Sequence, residues 1–391
     1  MLPLEGMQVL DLSQKLPGGL CTQILADLGA NVIKIENPRG GDGFRNTPPL
    51  VGANGSFFHI LNRNKKSMTL NIKYPEGRDI FLRMAAHADV IIESARPGAM
   101  KKMGLAYEDV QSLNPKMIYC SLTGFGQTGP YCERPAHDIN ILAISGILDL
   151  LGEKGRSPIV PAIMISGAGG GGINAAMGIM ASLLRRERTG KGQYLDVSIL
   201  DGLSPFLALM MSEYLASKEA PVRGESRLGG GHACYNIYET RDGKYLTLGC
   251  LEKKFWDELC RCLNREDLRG DLMAPLPRQT EIIRELKAIF IQKTREEWMM
   301  ILGQYDICFA PANSLPEALE DPQVQHRVLW LQASHPADGE IPQQGFPVKF
   351  SQDQPELRIP PPLLGEHTQE IMKTLGYDES AIEKLKANGV V

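Results

Sequence analysis

Val9-Leu-Asp-Leu12 and Asn31-Val-Ile-Lys-Ile-Glu36 read as two short buried strands, and between them Leu20 to Leu28 repeats its apolar residues at helical spacing. Strand, helix, strand in so short a span implies a right-handed crossover that brings the second strand back parallel to the first. The pattern continues. Pro75 to Ala86 suits a helix with proline in its first turn, Asp89-Val-Ile-Ile-Glu93 a strand, Tyr107 to Leu113 a short helix, and Met117-Ile-Tyr-Cys-Ser-Leu122 another strand. Gly18-Gly19 suits a turn ahead of the first helix. Ile173 to Arg188 reads as a strong helix, small on one face and ending in basic residues that favour a C-terminus. The first half of the chain is therefore expected to be α/β, built on a mostly parallel sheet.

The character changes after 217–231, where Ser, Lys, Arg and Gly dominate and a linker is expected. Tyr235-Asn-Ile-Tyr238, Asp242-Gly243 and Tyr245-Leu-Thr-Leu248 make a hairpin signal, and helical spacing follows at 254–263, 278–292 and 295–303. Residues 334–363 hold several prolines and little periodicity, so they should run over the surface before a last helix at 366–375. These signals divide the chain into a large domain, 1–216 with 331–391, and a small one, 217–330.

Composition narrows the function classes. In 391 residues, 43% are hydrophobic and 23% charged, with a net charge of −4, which excludes wholesale disorder and a fold-wide basic footprint for nucleic acid. No apolar run reaches the ~18 residues of a membrane span, and Met1-Leu-Pro-Leu-Glu-Gly-Met7 has no signal-peptide character. The 8 cysteines form no C-x-x-C pair and the 7 histidines no H-x-x-x-H pair, so neither a disulfide framework nor a transition-metal site is expected. A reducing, cytoplasmic location is expected.

Several loops carry candidate chemistry. Leu16-Pro-Gly-Gly-Leu-Cys21 lacks G-x-G-x-x-G, although Glu36 stands where a ribose-binding acid would. Gly167-Ala-Gly169-Gly-Gly-Gly172 does match that pattern, but Ser157-Pro-Ile-Val-Pro161 before it is too broken by proline to be a central strand. The run suits either close helix packing or a backbone-lined helix N-terminus that meets an acyl or thioester group. Asn62-Arg-Asn-Lys-Lys66, Arg96-Pro-Gly98 and Arg39 fall near strand C-termini, where cations can hold phosphates. Gly124-Phe-Gly-Gln-Thr-Gly-Pro130 leads to His137-Asp138, a loop histidine able to act as a base near neutral pH. Gly229-Gly-Gly-His232 is a second flexible loop.

Together these segments resemble the family III CoA-transferases and their relatives, the α-methylacyl-CoA racemases. Ala26-Asp-Leu-Gly-Ala-Asn-Val-Ile-Lys-Ile-Glu36, Asn62 to Ser67, Arg96-Pro-Gly98 with Met103-Gly-Leu105, and Gly124 to Pro130 with His137-Asp-Ile-Asn140 carry the likeness. Arg186 to Gln193, Gly229 to Gly231, Leu251-Glu252 and Pro362 to His367 extend it over nearly the whole chain. The resemblance implies a Rossmann-like large domain with a parallel sheet, a smaller α+β domain, and an interlocked dimer. It implies CoA or acyl-CoA as substrate rather than a tightly bound cofactor, and no metal. Arg39, Lys66 and Arg96 match or adjoin its CoA-holding positions, with Asn64 in the same cluster. His137 matches the His of its racemase His–Asp pair and Glu252 the Glu that pairs with that His, while Gly169, Gly170 and Gly229, Gly230, Gly231 match its active-site loops. The family's catalytic Asp falls on Gly167, which has no side chain. Asp138 is not expected to substitute, because consecutive residues generally point to different places.

The resemblance thus implies a subunit of a transferase moving CoA between carboxylic acids, non-catalytic by itself, with a homologous partner supplying the Asp. The alternatives are a racemase- or epimerase-like enzyme using His137 and Glu252, and an acyl-CoA-binding scaffold. The partners implied are acyl-CoA, a carboxylic acid, and a homologous subunit or a second copy of the chain. Neither nucleic acid nor membrane is among them.

Overall fold

Six short strands pair side by side in a computed structural model that describes all 391 residues. They are β1 (Gln8–Leu12), β2 (Asn31–Glu36), β3 (Lys65–Thr69), β4 (Val90–Glu93), β5 (Ile118–Thr123) and β6 (Gln193–Ser198). Their order is β3-β2-β1-β4-β5-β6 and every pairing is parallel. Val9 pairs with Val32 on one side and Val90 on the other. The central strands are covered on both faces, so burial runs almost unbroken along them and their residues are mainly apolar, with Lys34, Glu36 and Glu93 as buried exceptions. Strand order reverses between β1 and β4, and in open parallel sheets that point opens a crevice beyond the strand C-termini. β3 was hidden in the sequence because Lys65 and Lys66 interrupt its apolar pattern.

This sheet belongs to one of two units, made of Met1–Ser145, Ala162–Pro205 and Gln325–Val391. Its helices include α1 (Lys15–Asp27), α2 (Pro75–Ala85), α3 (Asp138–Ser145) and α4 (Asn174–Thr189). Gly18 and Gly19 lie within α1 rather than in a turn before it. Lys15 makes the turn instead, at a φ of 60°. A Cβ on Gly18 would collide with the Ser13 side chain, so the close return of the chain excludes a larger residue there.

The start of α1 is fixed by buried charge. Asp11 accepts hydrogen bonds from Ser13 N (2.9 Å), Ser13 Oγ (2.5 Å) and Thr22 Oγ1 (2.7 Å). Lys34 Nζ lies 3.0 Å from Asp42 and 3.7 Å from Asp11, and donates to Ser13 O at 2.9 Å. Lys65 Nζ lies 3.8 Å from Asp11 and donates to Gly19 O and Asn62 Oδ1, both at 2.9 Å. Burial works to lower the pKa of Lys34, but the Asp11, Asp42 and Glu36 carboxylates outweigh it and hold the ammonium well above its usual value. At Lys65 burial wins, and the amine is pushed down to about 7.

The second unit comprises Gly146–Pro161 and Phe206–Val324. Its antiparallel sheet has β7 (Tyr235–Glu239), β8 (Tyr245–Gly249) and β9 (Phe309–Pro311) in the order β9-β8-β7. α5 (Ala208–Ser217) buries no residue. α6 (Lys253–Cys262), α7 (Leu276–Phe290) and α8 (Arg295–Leu302) close a core around Tyr238, Trp256, Phe290 and Trp298. The two ends of this unit differ from the boundaries expected at 217 and 330. Because α5 is apolar and helical, composition did not mark the break before it, and 146–161 joins this unit from far away in sequence.

The C-terminal stretch returns to the first unit. β10 (Trp330–His335) and β11 (Gly339–Gln344) form a hairpin where irregular surface chain was expected. Pro342 and the inward polar residues His335 and Gln343 blur its alternation. α9 (Thr368–Thr374) follows, and α10 (Glu379–Ala387), absent from the sequence-based expectations, adds Ile382 to the main core. No helix is long and apolar enough to cross a membrane.

Lys65 carries a pH signature. Its amine titrates near 10.5 when unfolded and near 7 when folded, so between those values the unfolded chain holds the proton that the fold has released. Its contribution to stability therefore rises with pH across that window and is flat below it. The stability of Lys65→Met relative to the parent chain should shift in favour of the parent as pH rises from about 7 toward 10.5. Urea unfolding at several pH values checks this, and a difference independent of pH would contradict it.

Candidate functional site

The crevice at the reversal of strand order is a cleft of about 270 Å³. Leu12 and Ile35 from β1 and β2, with Leu70, Ile72, Met100 and Met103, form its apolar walls. Gln14, Asn37, Asn71 and Lys73 place polar groups around it. Glu93, at the end of β4, is buried beside it. Burial pushes its carboxyl pKa up, against a hydrogen bond from Ala95 N (2.6 Å) to Oε2. Apolar walls with polar groups at the rim suit a flat, heteroatom-rich ring, with Lys73 free of any ion pair to meet an anion.

The residues expected to hold phosphates divide. Arg39 and Arg96 are exposed, follow β2 and β4, and make no ion pair. Both lie within two residues of a cleft-lining position, Asn37 or Ala95. Lys66 projects from the edge strand β3 and pairs with Glu370 at 2.6 Å. Asn64 does not join them. Its amide nitrogen donates to Asp27 Oδ1 (2.8 Å) and Glu356 O (3.0 Å), and its oxygen accepts from Arg358 N (2.8 Å) and Ile359 N (3.1 Å). It is a buried structural tie, and a ligand would have to break those bonds to reach it. Glu36 is likewise spent on Arg45, with two contacts of 2.7 Å, and on Ser67 Oγ at 2.7 Å. Asn71 and Lys73 carry no signal of their own in the sequence, because Lys65 and Lys66 disguise β3, the strand that delivers them.

A second constellation lies at the start of α3. Asp138 Oδ1 accepts hydrogen bonds from Gly167 N at 2.8 Å and Ser166 Oγ at 2.5 Å. The adjacent residue in sequence thus does reach the Gly167 position, contrary to expectation, because the helix beginning at Asp138 turns its first side chain onto the glycine run. His137 is exposed just before it, and its backbone N–H donates to Asn140 Oδ1 at 3.0 Å.

The glycine run itself is not a free helix N-terminus. Ser166–Ile173 form a π-helical turn continuous with α4, and Ile165 before it is already helical. The small residues serve packing. A Cβ on Gly171 would lie 3.2 Å from Pro17 Cβ, and one on Gly172 only 2.8 Å from Pro17 O, both in α1. Asn174 Nδ2 donates back to Gly169 O (2.9 Å) and Gly170 O (3.1 Å), holding the wide turn closed.

In the second unit, Gly229 and Gly230 line a cavity of about 1450 Å³ together with Tyr235, Ile237, Tyr245 and Phe309. Gly230 has a φ of 93°, which favours glycine, and its carbonyl accepts from Asn236 Nδ2 at 2.7 Å. Gly231 is buried in the same turn. Glu252 is exposed at the N-cap of α6. His137 and Glu252 belong to different units.

His59, His335 and Asp338 also gather in the first unit. His335 Nδ1 accepts from Asp338 N (2.9 Å) and its Nε2 meets Pro361 O (2.8 Å), while His59 Nε2 meets Val51 O (3.1 Å) and Asp338 Oδ2 (3.2 Å). With three of the four ring nitrogens committed to backbone and carboxylate, and His59 Nδ1 buried without a partner, the group is a clasp that ties the β10–β11 turn to the chain near Val51.

A family model described as CoA-transferase family III matches residues 4–368. Succinyl-CoA:glutarate CoA-transferase of Mus musculus is 38% identical, covering 100% of this chain and 91% of that protein. α-Methylacyl-CoA racemase of Homo sapiens is 32% identical, covering 100% and 98%. A solved CAIB/BAIF family protein from Brucella suis superposes with a TM-score of 0.84 at 32% identity, covering 96% of this chain and 99% of that one.

The packing of the glycine turn is open to test. A Cβ on Gly170 would sit 2.5 Å from the carbonyl oxygen of Ile199, a backbone atom with little room to yield. Gly170→Ala should therefore cost about 1–3 kcal/mol despite the better helix propensity of alanine. An unchanged urea midpoint would show that the turn is not tightly seated.

Proposed function

Because the chain belongs to CoA-transferase family III, we propose that it moves CoA between carboxylic acids, seating the nucleotide end of an acyl-CoA in the cleft at the strand reversal. The observation that carries this reading is the cleft itself, apolar-walled, with Lys73, Arg39 and Arg96 free of ion pairs on the loops that follow β3, β2 and β4. CoA presents an adenine ring and several phosphates, which such walls and such cations complement. Short dicarboxylic acids are the first substrates to try, since relatives act between succinyl-CoA and glutarate. The reaction draws on no cofactor beyond CoA.

Gly167 favours a second reading, in which a homologous subunit supplies an Asp at that position. Exposed apolar side chains support a covering chain of some kind, whether a homologue or a second copy interlocked with the first. Leu209, Met211 and Leu215 project from α5, and in the other unit Ile163, Met164, Ile173 and Met177 are exposed around the glycine turn and α4.

Arg96→Ala should weaken CoA binding about 10-fold in calorimetry, the loss of one charge-assisted contact, without moving the unfolding midpoint. Unchanged affinity would remove Arg96 from the site. If the apolar faces are covered by another chain, sedimentation at micromolar concentration should show a dimer, and a stable monomer would contradict that arrangement. Native mass spectrometry of the complex separates one chain type from two.

A further inference from the structure

Gly167 lacks the side chain that would accept an acyl group, yet a carboxylate stands beside it. A Cβ built on Gly167 would lie 3.6 Å from Oδ1 of Asp138, so Asp138 already reaches the space that a side chain at 167 would enter. The two oxygens of Asp138 differ. Oδ1 accepts from Gly167 N–H (2.8 Å) and from the buried Ser166 hydroxyl (2.5 Å), whereas Oδ2 accepts no hydrogen bond from the chain. Asp138 is only partly buried, so Oδ2 is open to a ligand.

Resting on the CoA-transfer reading above, we propose that Asp138 is the nucleophile of this chain, the carboxylate that takes first the acyl group and then CoA. Oδ2 attacks the thioester carbon, the C–S bond breaks, and CoA leaves as thiolate, giving a mixed anhydride. The thiolate attacks the carbonyl carbon of Asp138. The bond from that carbon to Oδ2 breaks, and the first acid departs carrying that oxygen. Asp138 is now a CoA thioester. The carboxylate of the second acid attacks the same carbon and expels the thiolate. The thiolate then attacks the new acyl carbon and leaves with it as the product acyl-CoA. Asp138 recovers a carboxylate in which one oxygen comes from the second acid. Protons and electrons balance without any further reactant.

The hydrogen bonds suit this role. Each attack on the Asp138 carbonyl carbon places negative charge on Oδ1, where the Gly167 N–H and the Ser166 hydroxyl already point. Glycine at 167 also keeps a second carboxylate away. Aspartate there would set two like charges together and disfavour the ionised form that the reaction needs.

The test is oxygen transfer. The full chain is incubated with succinyl-, glutaryl- or acetyl-CoA and the matching ¹⁸O-labelled acid, and exchange is followed alongside the mass of the peptide bearing residue 138. The label should appear on Asp138. Asp138→Asn, whose amide oxygen can still accept both hydrogen bonds, should lose about 10³-fold in exchange. Ser166→Ala should lose about 10²-fold in kcat with acyl-CoA binding retained. Gly167→Asp should lower activity, whereas the reading in which a partner supplies the Asp expects it to create activity. Exchange without label on Asp138, or exchange that survives Asp138→Asn, overturns the proposal. So does binding of an acyl-CoA in calorimetry with no exchange, and that result leaves the CoA-transfer reading standing. Failure to bind any of the three acyl-CoAs overturns both.

Discussion

Glycine at 170, 171 and 172 lets the turn before α4 approach α1 and the loop after β6 until backbone meets backbone. No other residue type permits that distance, since a single methyl at 172 would enter the space of the Pro17 carbonyl. The approach brings Ser166 and Gly167 beside the first residue of α3, so that one carboxylate, Asp138, receives both of their hydrogen bonds. Close packing and chemistry are therefore one feature. The small residues that seat the helix also leave the carboxylate its place and supply one of its donors.

The other side of this contact is held by electrostatics. α1 begins at a strained residue, Lys15, whose N–H donates to Asp42 at 3.0 Å, and Asp42 pairs in turn with the buried Lys34. Asp11 and Lys65 complete the group beneath the helix. Charges so deeply buried are a weak source of net stability but a strong source of geometry, because removing any one leaves its partners unpaired. They fix Leu16 and Pro17, the residues that meet the glycine turn, and Gln14, which faces the cleft. The cleft at the strand reversal and the corner around Asp138 thus both meet the short stretch from Leu12 to Pro17.

Much of this was legible in the sequence. The apolar runs at Val9, Asn31, Asp89 and Met117 are strands because both faces of the sheet are covered, and that leaves a strong signal. β3 and the β10–β11 hairpin were not legible, since buried Lys65, His335 and Gln343 imitate surface residues. Their polar atoms are satisfied by partners distant in sequence, which a local pattern cannot register. The same reason misplaced Asn64, whose polar character suggested a ligand and whose partners are Asp27, Glu356, Arg358 and Ile359. Arg39 and Arg96 stand on the expected loops because strand C-termini can be read directly from the pattern. Asp138 was visible as a residue. Its direction was not, because it depends on where α3 starts and on a π-helical turn with no sequence signature beyond a row of glycines.

The central claim is that the reactive carboxylate of this chain is Asp138, displaced from position 167. Borohydride added while the chain turns over succinyl-CoA would reduce an aspartyl thioester to the alcohol, converting that residue to homoserine. Peptide mapping should find homoserine at 138 in the parent chain and none in Asp138→Asn. Intact Asp138 during active turnover, or homoserine at another position or on a co-purifying subunit, would contradict the account.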